Sequence, residues 1–160
     1  MRKYAVIDLE TTGPKYESGD RIFQFGCTLI DGDEVIEHVS LNINPEKSIP
    51  FEIQLLTGVT NADVATAPYF DEVAMTIFNL LEDRTLVAHN VGFDGPFIMS
   101  ALKDALGLEL EVPLIDTVQL AQICYPTALS YRLSDLTETL EIRHTQVHTA
   151  GSDDRATAEL

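Results

Sequence analysis

Tyr4-Ala5-Val6-Ile7-Asp8-Leu9-Glu10-Thr11-Thr12-Gly13 opens the chain with a short apolar run that ends in two carboxylates. Side chains alternate faces along a strand, so Tyr4, Val6, Asp8 and Glu10 share one face. At about 3.3 Å of rise per residue, the two acids lie about 7 Å apart along the strand. That spacing suits a pair of divalent cations, which sit about 3.5–4 Å apart in two-metal phosphoryl-transfer sites. A strand running out into solvent with ordinary exposed acids has the same pattern, and Asp-x-Glu alone does not separate the two. Thr11-Thr12-Gly13 adds a tight, hydroxyl-bearing turn beside the carboxylates.

Outward from this strand, Arg21 to Ile30 and Val35 to Asn44 read as two more, split by the turn-forming Asp31-Gly32-Asp33. Three strands joined by short turns predict an antiparallel meander. Phe70, Val73, Ile77, Leu80 and Leu81 then fall at helical spacing after Pro68. Thr85 to Ala88 is a short buried strand. Phe97, Ala101, Leu102, Ala105 and Leu106 make a second helical face, ended by Gly107. Val112 to Ile115 predicts a fifth strand, and helices follow from Thr117, Leu133 and about Asp153. The order is that of an α/β fold on a mixed sheet, not an alternating all-parallel one.

The 160 residues show no repeat, low-complexity tract or linker, and predict one domain. An apolar fraction of 45% with 22% charged residues is ordinary for a soluble globular chain. No stretch is apolar for long enough to span a bilayer. The run after Met1-Arg2-Lys3 is cut short by Asp8 and Glu10, so no signal peptide follows. Cys27 and Cys124 stand apart, outside any metal-ligand spacing, and point to buried thiols in a reducing compartment, with the cytoplasm as the default. Twenty-six acids against ten bases leave a net charge of −16. Polyanion binders usually present a basic face. Acids clustered around divalent cations would reverse the local field, and an attached domain or partner would supply the missing basic surface.

Two further segments carry chemistry. His89-Asn90-Val91-Gly92-Phe93-Asp94 lies between a buried strand and a helix. Asp94 there is either a helix N-cap or a site residue, and His89 and Asn90 are either satisfied turn residues or part of the same site. In His148-Thr149-Ala150-Gly151-Ser152-Asp153, five residues of helix would turn about 500° and part the histidine from the acid. A helix beginning between them, with His148 on the preceding loop, removes the conflict. His38 and His144 have no comparable setting and read as surface residues.

Asp-x-Glu at a strand end, a distant His-Asn-x-x-Phe-Asp and a terminal His-x4-Asp together resemble the signature of the DEDDh, or DnaQ-like, exonucleases. Asp8 to Gly13 is similar to that family's first motif, and Arg21 to Gly26 to its second strand. Leu56-Thr57-Gly58-Val59-Thr60 resembles the segment before its first helix, and His89 to Phe97 its second motif. Ile115-Asp116-Thr117 and Tyr131 to Leu136 resemble the stretches leading to the third. The resemblance implies a ribonuclease H-like fold, a mixed five-stranded sheet with helices on both faces. It implies two Mg²⁺ or Mn²⁺ ions, one held by Asp8, Glu10 and Asp153, with Asp8 bridging to a second that Asp94 helps to hold through water. It makes His148 the general base. The substrate positions would be Leu9, Thr11, Thr12, His89, Asn90 and Phe93, with Phe93 against the terminal nucleotide. Hard cations in a carboxylate cage suit phosphodiester hydrolysis, and an imidazole near its ordinary pKa can take a proton from water at neutral pH.

The implied activity is 3′→5′ hydrolysis from single-stranded DNA ends. RNA trimming, or a non-catalytic module that binds nucleic acid or a partner, are the alternatives. Within the family, Met1 to Glu10 and Asp116 to Gln122 are most similar to the exonuclease domain at the amino end of DinG-type helicases of Gram-positive bacteria. Proofreading subunits or domains of replicative polymerases come next. No P-loop is present, so helicase activity would lie outside these residues. The last segment, Asp153 to Leu160, begins as a helix and has no closing signal. Residues 1–160 are thus expected to form the N-terminal part of a longer chain, with the last helix cut short. Two positions depart from the family pattern, which usually has an apolar residue at Gly151 and a small alanine at Asp154. Glycine inside a helix costs about 1 kcal/mol, so leucine at 151 with alanine at 154 is expected to raise stability and metal affinity. Asp154 itself is either a solvated first-turn acid favoured by the helix dipole or a source of repulsion beside Asp153.

Overall fold

The computed structural model describes residues 2–144 and 148–160. Strand β1 (Lys3–Thr11) runs through the middle of a five-stranded sheet of order β3-β2-β1-β4-β5. β2 (Ile22–Asp31) and β3 (Glu34–Asn42) form the expected antiparallel meander with β1, and β4 (Thr85–Ala88) and β5 (Leu114–Asp116) add in parallel. The fifth strand begins two residues later than its apolar run predicts and ends at Asp116, whose carboxylate caps the next helix.

The helices are α1 (Phe51–Thr57), α2 (Asn61–Val64), α3 (Phe70–Leu81), α4 (Val91–Leu106), α5 (Thr117–Cys124), α6 (Leu133–Thr139) and α7 (Ala150–Glu159). Sequence periodicity does not reveal α1, because Phe51, Leu55 and Leu56 are exposed and mark no buried stripe. It is bounded by Pro50 and by Gly58, whose φ of 74° closes it in a left-handed turn. α2 is held by a capping box in which the Thr60 hydroxyl and the Asp63 carboxylate each satisfy the other's backbone N–H.

Alternation along β1 divides the molecule. Ala5, Ile7 and Leu9, with Phe25, Cys27 and Leu29 of β2, point into the main core, where Ile77 and Leu81 of α3 and Phe97, Ile98 and Leu102 of α4 meet them. Val6, Asp8 and Glu10 point to the other face, opposite Thr28, Gly26 and Gln24 in the β1–β2 register. α7 packs over that second face, against β1, β2 and β3. The sheet is therefore mixed and flanked on both faces, a ribonuclease H-like α/β arrangement. Its apolar face holds the fold together, while its other face ends in acids.

Candidate active site

One ligand oxygen each from Asp8, Glu10 and Asp153 lies within 4.8 Å of the others. β1 supplies two of the acids by alternation and α7 the third. α7 starts at Ala150 with Thr149 at its N-cap, so Asp153 falls in its first turn, where the helix dipole favours a carboxylate. Asp94 comes from the first turn of α4. That helix begins at Val91 behind Asn90 (φ 77°), so Asp94 is not its N-cap. Its Oδ1 instead accepts a hydrogen bond from the Leu9 backbone N–H across 3.1 Å, which ties α4 to the middle of the Asp8-Leu9-Glu10 run.

Acids this close and this buried resist ionisation. Burial, then the Asp94, Glu10, Asp153 and Asp154 carboxylates, push the Asp8 carboxyl well above its ordinary range. Burial, then Asp153 and Asp94, push Glu10 up to about 8. Burial raises Asp94 to about 7 against the bonds from the Leu9 and Asp94 N–H groups, and Asp116 adds to the rise. Asp8 Oδ2 is buried with no hydrogen-bond partner. An orphaned carboxylate oxygen in an all-oxygen donor set fits a hard divalent cation.

His144 is a correction. It is no surface residue: its side chain is 5% exposed, Nε2 lies 2.6 Å from Asp153 Oδ1, and Nδ1 lies 3.3 Å from Thr137 Oγ1. His148 is exposed, with a left-handed backbone (φ 64°). Among the described residues it makes no hydrogen bond to a carboxylate of the cluster. His38 is exposed as expected, yet its Nδ1 lies 2.8 Å from Thr28 Oγ1.

Residues 5–160 match the model of an exonuclease family, RNase_T. The chain belongs to this DnaQ-like exonuclease family. It is 40% identical over 157 residues to the 3′-5′ exonuclease DinG of Bacillus subtilis, covering 98% of this chain and 17% of that protein. It is 39% identical over 160 residues to the protein of the same name in Staphylococcus aureus, covering all of this chain and 18% of that one. The chain thus spans less than a fifth of the relatives it matches. Among solved structures, E. coli Exonuclease I in complex with a dT13 oligonucleotide superposes with a TM-score of 0.85 at 22% identity, over 99% of this chain and 40% of that one. Exonuclease X in complex with 5′-overhanging duplex DNA gives 0.77 at 22% identity, over 97% and 86%. At that identity the two structures speak for the fold.

Around the carboxylates of this exonuclease domain, the other sequence-predicted positions divide. Phe93 is half-buried on α4 and packs on Phe97 at a centroid distance of 5.6 Å. The Thr11 hydroxyl donates to the Gly13 carbonyl, and the Thr12 hydroxyl accepts from the Arg21 N–H. Leu9 has its side chain in the core, which leaves only its backbone toward the site. Both ring nitrogens of His89 are engaged, with Thr117 Oγ1 at 2.8 Å and the Tyr131 carbonyl at 2.8 Å. Its geometry is that of a tie between β4, α5 and the segment before α6. Asn90 is exposed, and its N–H donates to Asp116 Oδ1.

The structure bears on both departures in the third motif of this exonuclease domain, and it overturns the reading of Asp154 as a solvated acid. Asp154 is not solvated: it is 1% exposed, and Oδ2 accepts a 2.6 Å bond from Thr28 Oγ1. Burial raises its carboxyl to about 6, against bonds and charges from Thr28 and Arg155 that favour ionisation. A Cβ at Gly151 would sit 2.7 Å from Ser40 Oγ and 3.0 Å from Ser40 Cβ, so any larger residue there requires the Ser40 side chain to move. Displacing Ser40 opposes the gain in helix propensity that leucine would bring.

Proposed function

We propose that this domain removes nucleotides from the 3′ ends of single-stranded DNA by metal-dependent hydrolysis. The observation that carries the reading is the convergence of Asp8, Glu10 and Asp153 from two distant segments within 4.8 Å. Asp8, Glu10 and Asp153 would hold one Mg²⁺ or Mn²⁺, with Asp8 also serving a second that Asp94 helps to hold. When bound, the ions neutralise charge at the phosphate and promote both the attack by water and the departure of the 3′-oxygen.

The protein's own groups do the rest. Stacking on Phe93 and backbone contacts at Thr11 and Thr12 place the terminal nucleotide by shape, without a base code. His148, on the loop before α7, accepts the proton that water gives up. The relatives' greater length supports a domain joined to a helicase, which would supply the basic surface that a net charge of −16 lacks. Cys27 is buried as expected and Cys124 is exposed against expectation; both are unpaired, in accord with a cytoplasmic setting.

Incubation with a 5′-labelled single-stranded DNA oligomer and Mg²⁺ should give a ladder that shortens from the 3′ end, and a parallel RNA oligomer reports the sugar preference. Asp8→Ala should stay folded and lose activity by orders of magnitude. An undiminished ladder from that variant would refute the assignment.

A further inference from the structure

α7 rests on three alternate residues of β2. The Ala150 N–H donates to Gln24 Oε1 at 2.9 Å. The Ala150 carbonyl lies so close over Gly26 that any Cβ there would collide with it. One turn further on, the Thr28 hydroxyl donates to Asp154 Oδ2 at 2.6 Å. In the register, Gln24, Gly26 and Thr28 stand opposite Glu10, Asp8 and Val6. Successive helical residues point about 100° apart, so a helix lying over both strands sends Asp153 toward β1 and Asp154 toward β2. The first two contacts grip only the first turn. The Thr28–Asp154 bond supplies a second point, and two points fix a helix against rotation about its own axis.

The bond carries a cost that packing alone would not select. Asp154 Oδ1 is buried with no partner, and an unsatisfied buried polar atom costs about 1–3 kcal/mol. The bond is also oriented from behind. A hydroxyl has one proton, and Thr28 gives it to the carboxylate, so His38 Nδ1, 2.8 Å away on β3, must be the donor to Thr28. The chain from His38 through Thr28 to Asp154 therefore links the edge strand, the neighbouring strand and the helix that carries Asp153.

We propose that Asp154 is a positioning residue, anchored by Thr28, that sets the rotation of α7 so that Asp153 faces Asp8 and Glu10. The proposal rests on the reading of those three acids as metal ligands. Mn²⁺ titration calorimetry, thermal melting, and kcat and KM on a single-stranded DNA oligomer, applied to the whole chain, test it. Groups that orient metal ligands are worth about 10–100-fold in affinity. Thr28→Val, which keeps the shape and removes the hydroxyl, should weaken Mn²⁺ binding at least about 10-fold and lower kcat with KM unchanged, and Thr28→Ser should restore both. Asp154→Ala should show the same loss, and Thr28→Val combined with Asp154→Ala should be no worse than Asp154→Ala alone.

Wild-type Mn²⁺ affinity in Asp154→Ala would overturn the proposal. So would recovery to wild type in the double variant, which would make Asp154 a mere burden that Thr28 relieves. If Thr28→Val does not fold, a folded Asp154→Ala decides by itself. A wild-type protein that neither binds Mn²⁺ nor shortens the oligomer removes the reading of the site, and the positioning role with it. An active wild type with unaffected variants removes the positioning role alone.

Discussion

Glu10→Gln should stabilise the metal-free protein at pH 8 while weakening its hold on metal. Glu10 ionises at an ordinary pKa of 4.5 in the unfolded chain and at about 8 in the fold, chiefly because of burial and then because Asp153 and Asp94 face it. The folded state therefore keeps a proton that the unfolded state has lost, so stability falls as pH rises from the unfolded value through the folded one. Between pH 6 and 8 acids of ordinary pKa are already ionised in both states, while the raised Asp8 and Asp94 carboxyls add to the loss in the same sense as Glu10. Two pH units at about 1.4 kcal/mol each, with the slope halved by pH 8 where Glu10 is half titrated, give a loss of about 2–2.5 kcal/mol from Glu10 alone. At about 2–4 °C per kcal/mol for a chain of this size, the melting temperature in EDTA should drop by about 5–10 °C over that interval. His38 and His89, whose pKa values burial lowers, act in the opposite sense, and subtracting the Glu10→Gln curve cancels them. Calorimetric melts in EDTA at pH 6, 7 and 8 provide the measurement. The wild type should fall more steeply than the variant, in which the raised Asp94 carboxyl still titrates, and millimolar Mn²⁺ should restore the wild type at pH 8 far more than the variant. A wild-type stability that is level across the interval, or a variant less stable at pH 8 than the wild type, would refute the crowding argument.

Three other perturbations follow from the same contacts. Gly26→Ala places a methyl against the Ala150 carbonyl, so it should cost about 1–3 kcal/mol in urea unfolding and weaken Mn²⁺ binding as α7 lifts. Gly151→Leu should destabilise by a similar amount through Ser40, and a higher melting temperature in that variant would mean that β3 yields easily. His148→Ala should lower turnover far more than Mn²⁺ affinity, whereas unchanged turnover would place the base elsewhere, with His144 the first residue to examine.

The sequence alone determined what short-range geometry controls. Period-two alternation put Asp8 and Glu10 on one face of a strand whatever the rest of the chain did. The turn at Asp31-Gly32-Asp33, the helical spacing from Phe70 to Leu81 and the stop at Gly107 set the order of elements. The fivefold spacing of His148 and Asp153 required a helix to begin between them, and α7 does begin at Ala150. Motif resemblance then joined segments that no local rule connects.

What the tertiary structure decided were matters of which surfaces meet. His144 and Asp153 are nine residues apart, and nothing in the local sequence says which histidine turns inward. Asp154 looks like any first-turn acid until β2 is laid beneath it and Thr28, 126 residues earlier, presents its hydroxyl. Gly151 looks like a weak helix residue until Ser40 occupies the space its side chain would need. In each case the local sequence sets only the direction a residue can point. Whether water, a strand or another carboxylate lies there depends on contacts between segments far apart in the chain, and only folding brings those together.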